Sequence, residues 1–238
     1  KGAVAMRNPF PLFLHEEILL LALKDEEGTI TSGTMYNYAV GGAVLAELLL
    51  RQRIAIDPAS KKKIVSVVSP EPVNDPLVDE WLMKMSSVKR RRSLQDWVTR
   101  IAGTRELKHR IAIPLCQRGI LRMDEQTILL LFTRRVYPEI DPKPECEIMG
   151  RLHHAIFDDT DDIDARTVVL LSLAKGANLL TTLFGKKNIK QQKRRIELIV
   201  NGEITGKATK EAIDAMQAAI MVACIIPAMM MSVTASSH

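Results

Sequence analysis

The sequence predicts a mainly α fold: a single-domain helical bundle around a central buried pair of hydrophobic helices, with two β-hairpins. Three observations carry this. Apolar runs of helical length recur along the 238 residues, and hydrophobic residues make up 47% of the chain, ample for a core. Two of those runs, "LHEEILLLALKDEEG" (14–28) and "YNYAVGGAVLAELLLRQR" (36–53), are apolar on nearly every side, as helices enclosed by other helices are. Only "RIAIDPASKKKIVSVVS" (53–69) and residues 120–136 carry a strand–turn–strand pattern. The domain is expected to span 14–238, after an N-terminal extension at 1–13.

The first helix stops at the charges and Gly28 after Leu23. In the second, Gly41 and Gly42 let another helix approach closely, each costing about 1 kcal/mol relative to Ala. "NDPLVDEWLMKM" (74–85) opens with Asp75 as N-cap and Pro76 at the first helical position. "SLQDWVTRIAG" (93–103) is capped by Ser93 and ended by Gly103. Residues 105–118 form the next helix, which Pro114 should kink or end. "ILRM" and "TILLLF" then flank the polar turn "DEQ" as the second hairpin. "YPEIDPKPE" (137–145) is a Pro-broken connection. Helices follow at 145–157, at 164–175 with Asp164 as cap, at 177–183 and at 187–200, and a last one starts near Lys207.

The longest apolar run, Ala218–Met231, has fourteen residues with Pro227 inside. A bilayer span needs about twenty residues, so this reads as a buried helix. "KGAVAMRNPFPLF" lacks the apolar core and small-residue cleavage site of a secretory leader. Because the first residue is not Met, the sequence is expected to be a piece of a longer chain. Cys116, Cys146 and Cys224 are far apart, fit no zinc spacing and suggest a reducing compartment.

Charge is distributed unevenly. The formal net charge is +5. Residues 89–118 hold nine Lys or Arg against two Asp or Glu, while residues 139–164 hold nine Asp or Glu against two Lys or Arg. One side of the protein should therefore attract polyanions. Read at 100° per residue, Arg105, Lys108 and His109 share a helix face opposite Leu107, Ile111 and Pro114. "KRRR" (89–92) reads as a solvated linker and "GKKNIKQQKRR" (185–195) as the polar side of a surface helix.

Catalytic patterns are weak. "LHEEI" lacks the second histidine of a zinc protease. His154 and Asp158 stand four apart as a candidate metal pair, but the five aspartates at 158–164 lack the central Gly and final Glu of a calcium loop. No nucleophile elbow, phosphate-binding loop or dinucleotide fingerprint appears. The reading is of a non-enzyme with no metal and no cofactor.

The order of "LHEEILLLALKDEEG", "GGAVLAELLLRQRIAI" with Glu47, Arg51 and Arg53, "DPLVDEWL", "SLQDWVTRIAG", the Arg105–Lys108 pair, "RGIL" before "TILLLF", "RTVVLLSLAKGANLL" and an apolar C-terminal helix resembles the Golgi phosphoprotein 3 family. The resemblance implies a mostly helical domain and a peripheral protein of the cytosolic Golgi face in eukaryotes. It implies binding of phosphatidylinositol 4-phosphate through two basic residues three apart, here Arg105 and Lys108, where Lys loses the bidentate geometry of Arg. The family's pocket arginine falls on Gly41. Its pocket tryptophan lies in a loop that here reads "TITSGTMYNY", where Tyr36 or Tyr38 would supply the ring. The arginine-bearing tail that contacts vesicle coat in eukaryotic members has no counterpart, and these departures point to a bacterial relative. Glycosyltransferase clients and coat are expected partners only in a eukaryotic source.

The function expected is thus a cytoplasmic, peripheral membrane protein binding anionic lipid through a basic face. The adjacent hairpin at 120–132, through Ile128, Leu129, Leu130 and Leu131, would insert into the membrane or join copies into a homo-oligomer. The alternative is a nucleic-acid binder using helix 105–118 and hairpin 120–136 as a winged-helix-like unit. Pro114, an acidic hairpin turn and 4% aromatic content count against it, so no nucleic acid is expected.

Overall fold

Helix α1 (Leu14–Ala22) buries all nine of its residues, the polar His15, Glu16 and Glu17 included. Its run of leucines leaves no solvent face, so other helices must surround it. Helix α2 (Gly33–Leu50) packs along it, with Val40, Ala43, Val44, Leu45, Ala46 and Leu48 at 2% exposure or less. This is the central hydrophobic pair that the periodicity predicts. In a computed structural model, the structure describes residues 12–204 apart from 25–26, 31–32, 58 and 129–131. The expected last helix and the Met-rich tail lie outside the described residues.

The remaining elements close around that pair. Strands β1 (Ile54–Ile56) and β2 (Val65–Val67) pair antiparallel, Ile54 opposite Val67, as the first hairpin. Helix α3 (Pro76–Ser87) starts where expected: Asp75 accepts from the Leu77 and Val78 N–H groups at 3.1 and 2.8 Å. Helix α4 (Leu94–Ala102) is capped by Ser93, whose Oγ accepts from the Asp96 N–H at 3.1 Å, and its Trp97, Val98 and Ile101 face the core. It crosses α2 closely at Gly41, where an added Cβ would stand 2.8 Å from the Val98 carbonyl oxygen. Only glycine permits that contact.

Helix α5 (Leu107–Gln117) leads to strands β3 (Asp124–Ile128) and β4 (Phe132–Val136). Of the two outcomes expected at Pro114, a kink or an end, the helix does not end there: Pro114 sits inside α5. Its missing N–H removes one backbone bond, and burial of Ile111 and Leu115 on either side holds the helix together. Helices α6 (Lys143–Phe157) and α7 (Ala165–Gly176) follow, α7 capped by Asp164 and lying against both α1 and α2.

The segment expected as one helix at 187–200 is two, α9 (Lys186–Gln191) and α10 (Lys193–Val200), after the short α8 (Leu180–Phe184). The break at Gln192 re-aims α10, so that Ile196 and Ile199 enter the core and Arg195 donates to the Ala155 and Thr160 carbonyls at 2.9 and 2.6 Å. Among the described residues no helix is long and apolar enough to cross a membrane.

Candidate functional site

The cationic turn lies where α5 meets β4. Arg105 precedes the helix rather than lying on it, because Glu106 adopts a left-handed conformation (φ 54°) that starts α5 one residue later. Arg105 is exposed and forms no ion pair among the described residues. Lys108, in the first turn of α5, runs along the Tyr137 ring at 5.4 Å and donates to the Arg135 carbonyl at 3.3 Å. It too has no carboxylate partner among the described residues. Burial lowers its pKa, and the Arg134 guanidinium lowers it further.

His109 Nδ1 lies 2.8 Å from the Tyr137 hydroxyl. Burial depresses the imidazole pKa, with Lys108 and Arg135 adding to the effect and Glu106 opposing it. Tyr137 is itself fixed from outside the hairpin: its N–H donates to the Gly28 carbonyl at 3.0 Å, and a Cβ on Gly28 would sit 2.3 Å from that nitrogen. Arg110 does not join the group, since its guanidinium is paired with Glu80 on α3. That cation is thereby neutralised.

Sequence reasoning missed Arg134 and Arg135. They belong to β4, and only the hairpin register brings them beside Lys108. Arg134 donates to the Gln126 side chain at 3.0 and 2.6 Å and remains charged and exposed. That register also corrects the hairpin. Asp124, Glu125 and Gln126 are strand residues opposite Val136, Arg135 and Arg134, not the turn. Across the ladder Glu125 stands opposite Arg135 and Gln126 opposite Arg134, a juxtaposition that favours this register, while Asp124 pairs with Arg122. Ile128 closes β3 opposite Phe132, and Leu129, Leu130 and Leu131, which link the strands, lie outside the described residues.

Tyr36 and Tyr38 do not reach this site from solvent. Two residues apart on a helix point about 200° apart, and both are buried, at 1% and 8% exposure. Helix α2 is therefore enclosed on opposite sides at its start. Burial pushes the Tyr36 hydroxyl pKa strongly upward, and that hydroxyl has no hydrogen-bond partner among the described residues. Both rings pack in the hydrophobic core.

A second charged cluster is wholly different in kind. Glu17 accepts from Arg151 at 2.7 Å and Arg166 at 3.3 Å, Glu47 from Arg51 at 2.7 Å and Arg166 at 3.1 Å, and Glu16 pairs with Arg118. The Leu14 N–H also donates to Glu47 at 3.0 Å. The three carboxylates are at most 4% exposed. Burial raises the Glu17 pKa against the pull of its arginines, whereas Glu47 stays below the ordinary carboxylate value because Arg166, the Leu14 N–H and Arg51 outweigh its burial.

His15, Glu16 and Asp75 place three potential metal-ligand atoms within 4.8 Å of one another. Their oxygens are already engaged: Glu16 holds Arg118 and the Phe13 N–H, and Asp75 caps α3. His154 and Asp158, the pair suggested by spacing, hydrogen-bond each other at 2.6 Å on the surface.

Comparison with known proteins agrees with this architecture. The sequence model of Golgi phosphoprotein 3 (GPP34) matches residues 14–216. The vacuolar protein sorting-associated protein 74 of Eremothecium gossypii is 28% identical over 225 residues, covering 79% of this chain and 67% of that relative.

Proposed function

Since the chain belongs to the Golgi phosphoprotein 3 family, whose members are adaptors rather than enzymes, we propose that it is a peripheral membrane protein. In this reading it binds anionic lipid head groups through Arg105, Lys108 and Arg135, with phosphatidylinositol 4-phosphate as the preferred head group. One contrast supports it. Among the described residues Arg105 and Lys108 have no carboxylate partner, while Arg110 beside them is neutralised by Glu80. The positive potential is kept at one patch and removed next to it.

Magnitudes agree with a two-part grip. Each cation near an anionic surface contributes roughly 1 kcal/mol, so Arg105, Lys108, Arg134 and Arg135 supply about 4 kcal/mol, a millimolar affinity. Burial of two aliphatic side chains from Ile128–Leu131 adds roughly 1.5–3 kcal/mol each and brings the sum to the micromolar range. The same side chains would alternatively join two copies, raising avidity.

A groove-reading role for α5 is less well supported. In its first turn Lys108 is laid against β4 and Arg110 against α3, so neither extends freely from the helix.

Vesicle co-sedimentation tests the proposal, with phosphatidylinositol 4-phosphate, phosphatidylserine and neutral vesicles side by side and duplex DNA as the rival ligand. Arg105→Ala combined with Lys108→Ala should abolish pelleting with the anionic vesicles. Unchanged pelleting, or tighter binding to DNA than to any vesicle, would refute it.

A further inference from the structure

Two basic runs far apart in sequence face each other across one cleft. Lys61, Lys62 and Lys63 belong to the turn of the first hairpin, and Arg90, Arg91 and Arg92 to the link between α3 and α4. Backbone bonds lock them together: the Val65 N–H donates to the Arg92 carbonyl at 3.0 Å and the Leu94 N–H to the Lys63 carbonyl at 2.9 Å. Between them opens a cleft of about 640 Å³ lined by all six cations. Its one carboxylate, Asp96, is held at the cap of α4 by the Ser93 hydroxyl and N–H at 2.8 and 3.3 Å. Among the described residues none of the six cations forms an ion pair and Arg92 Nε is buried without a hydrogen-bond partner.

We propose that this cleft binds a compact polyphosphate anion, several phosphate groups on one small scaffold, either free or carried by a lipid. Like charges repel, and clustering six of them around a single carboxylate is unfavourable until a further anion enters. The volume lies in the range of small-ligand sites. Three arginines offer forked donors suited to phosphate oxygens. No aromatic side chain lines the cleft, so it offers no platform for stacking the bases of a single strand.

The cleft is separate from the lipid site at Arg105 and Lys108. It lies at the N-terminal end of α4, whereas those residues follow the C-terminal end, about 13 Å along the helix. The inference therefore stands whether or not the lipid reading holds.

The test is calorimetric titration of the full chain with inositol hexakisphosphate at fixed ionic strength. Saturable one-site binding is expected, accompanied by a rise in melting temperature. Lys62→Gln with Arg90→Gln and Arg91→Gln, all on exposed side chains, should weaken it at least about tenfold. Lys186→Gln with Lys187→Gln and Lys190→Gln removes the same charge from exposed positions on α9 and should leave binding intact, as should Arg105→Ala with Lys108→Ala.

Vesicles carrying phosphatidylinositol 4,5-bisphosphate, added to that last variant, separate the two sources. Retained pelleting that inositol hexakisphosphate competes away assigns a lipid-borne ligand, and absent pelleting with binding in solution assigns a free one. The proposal is overturned if no saturable binding occurs and the melting temperature does not rise. Equal loss in the two triple variants, or displacement of the probe by tighter-binding single-stranded RNA, would overturn it as well.

Discussion

Arginine plays two opposite parts in this protein. Around the first turn of α1, Arg51, Arg118, Arg151 and Arg166 all meet buried carboxylates, and Arg166 spans Glu17 and Glu47 at once. Where α5 meets β4, Arg105 and Lys108 stand without a carboxylate partner among the described residues. The chain has 28 acidic side chains to distribute, and one of them, Glu80, is spent on Arg110 nearby. An unpaired charge cannot persist inside, since desolvation penalises it heavily. Outside, in water, it can remain unpaired and hold a potential for a partner. The first cluster thus stabilises the fold, and the second is available for recognition.

Breaking the interior cluster gives the largest effect. Arg166→Ala leaves Glu17 and Glu47 short of counter-charge and the Leu12 carbonyl short of a donor. Loss of one partner of a buried pair costs about 3–5 kcal/mol. At about 2–4 °C per kcal/mol for a chain of this size, the melting temperature should fall by roughly 6–20 °C. Vesicle binding measured well below that melt should be unaffected. A drop under about 2 °C would mean that the cluster is no more than a surface-type pair.

The next effect separates grease from charge. Leu130→Ser, in the link between β3 and β4, should cost roughly 1.5–3 kcal/mol of membrane affinity or dissociate an oligomer. The loss should persist at high salt, where charge contributions are screened. If thermal denaturation instead shows the variant unfolding, Leu130 serves packing and the proposed insertion fails.

Arg105→Ala with Lys108→Ala removes about 2 kcal/mol of attraction, roughly a 30-fold loss of vesicle partitioning that shrinks as salt rises. The melting temperature should stay within about 2 °C, because exposed or partly exposed cations contribute little to stability. A melt lowered as far as that of Arg166→Ala would erase the distinction between the two clusters.

How much of this was legible in the sequence follows from what each feature depends on. Helices α1 and α2, the caps Asp75, Ser93 and Asp164 and the close approach at Gly41 are local or periodic, and all were readable. The hairpin turn was misplaced because "DEQ" has turn chemistry, whereas the pairing of Asp124, Glu125 and Gln126 with the Arg134–Arg135 segment decides the register. Register also brings Arg134 and Arg135 to Lys108, so neither was identified. The burial of Tyr36 and Tyr38 depends on what encloses α2, and the two basic runs of the cleft meet through backbone bonds between distant segments. Tertiary pairing of this kind leaves no trace in spacing.

The smallest expected effect probes the unpaired patch through its one group that titrates near neutrality. His109 is held below the ordinary imidazole pKa of 6.5 by burial, with Lys108 and Arg135 adding and Glu106 opposing. The folded protein therefore binds this proton less readily than the unfolded chain. Between the lowered value and 6.5, stability from His109 rises with pH and is lost on the acid side. A bound anion reverses the preference, because it favours imidazolium, so membrane affinity should increase as pH falls.

Phosphatidylserine vesicles are the right surface for this measurement, since a phosphomonoester changes its own charge near pH 6. Between about pH 7.5 and about pH 5.5, partitioning should rise about fivefold at most, as expected for one added charge. His109→Gln should flatten that rise while leaving the affinity at the alkaline end near its starting value. The same substitution should also remove part of the acid-side loss in melting temperature. A slope that survives His109→Gln would place the titrating group elsewhere and detach His109 from the cationic patch.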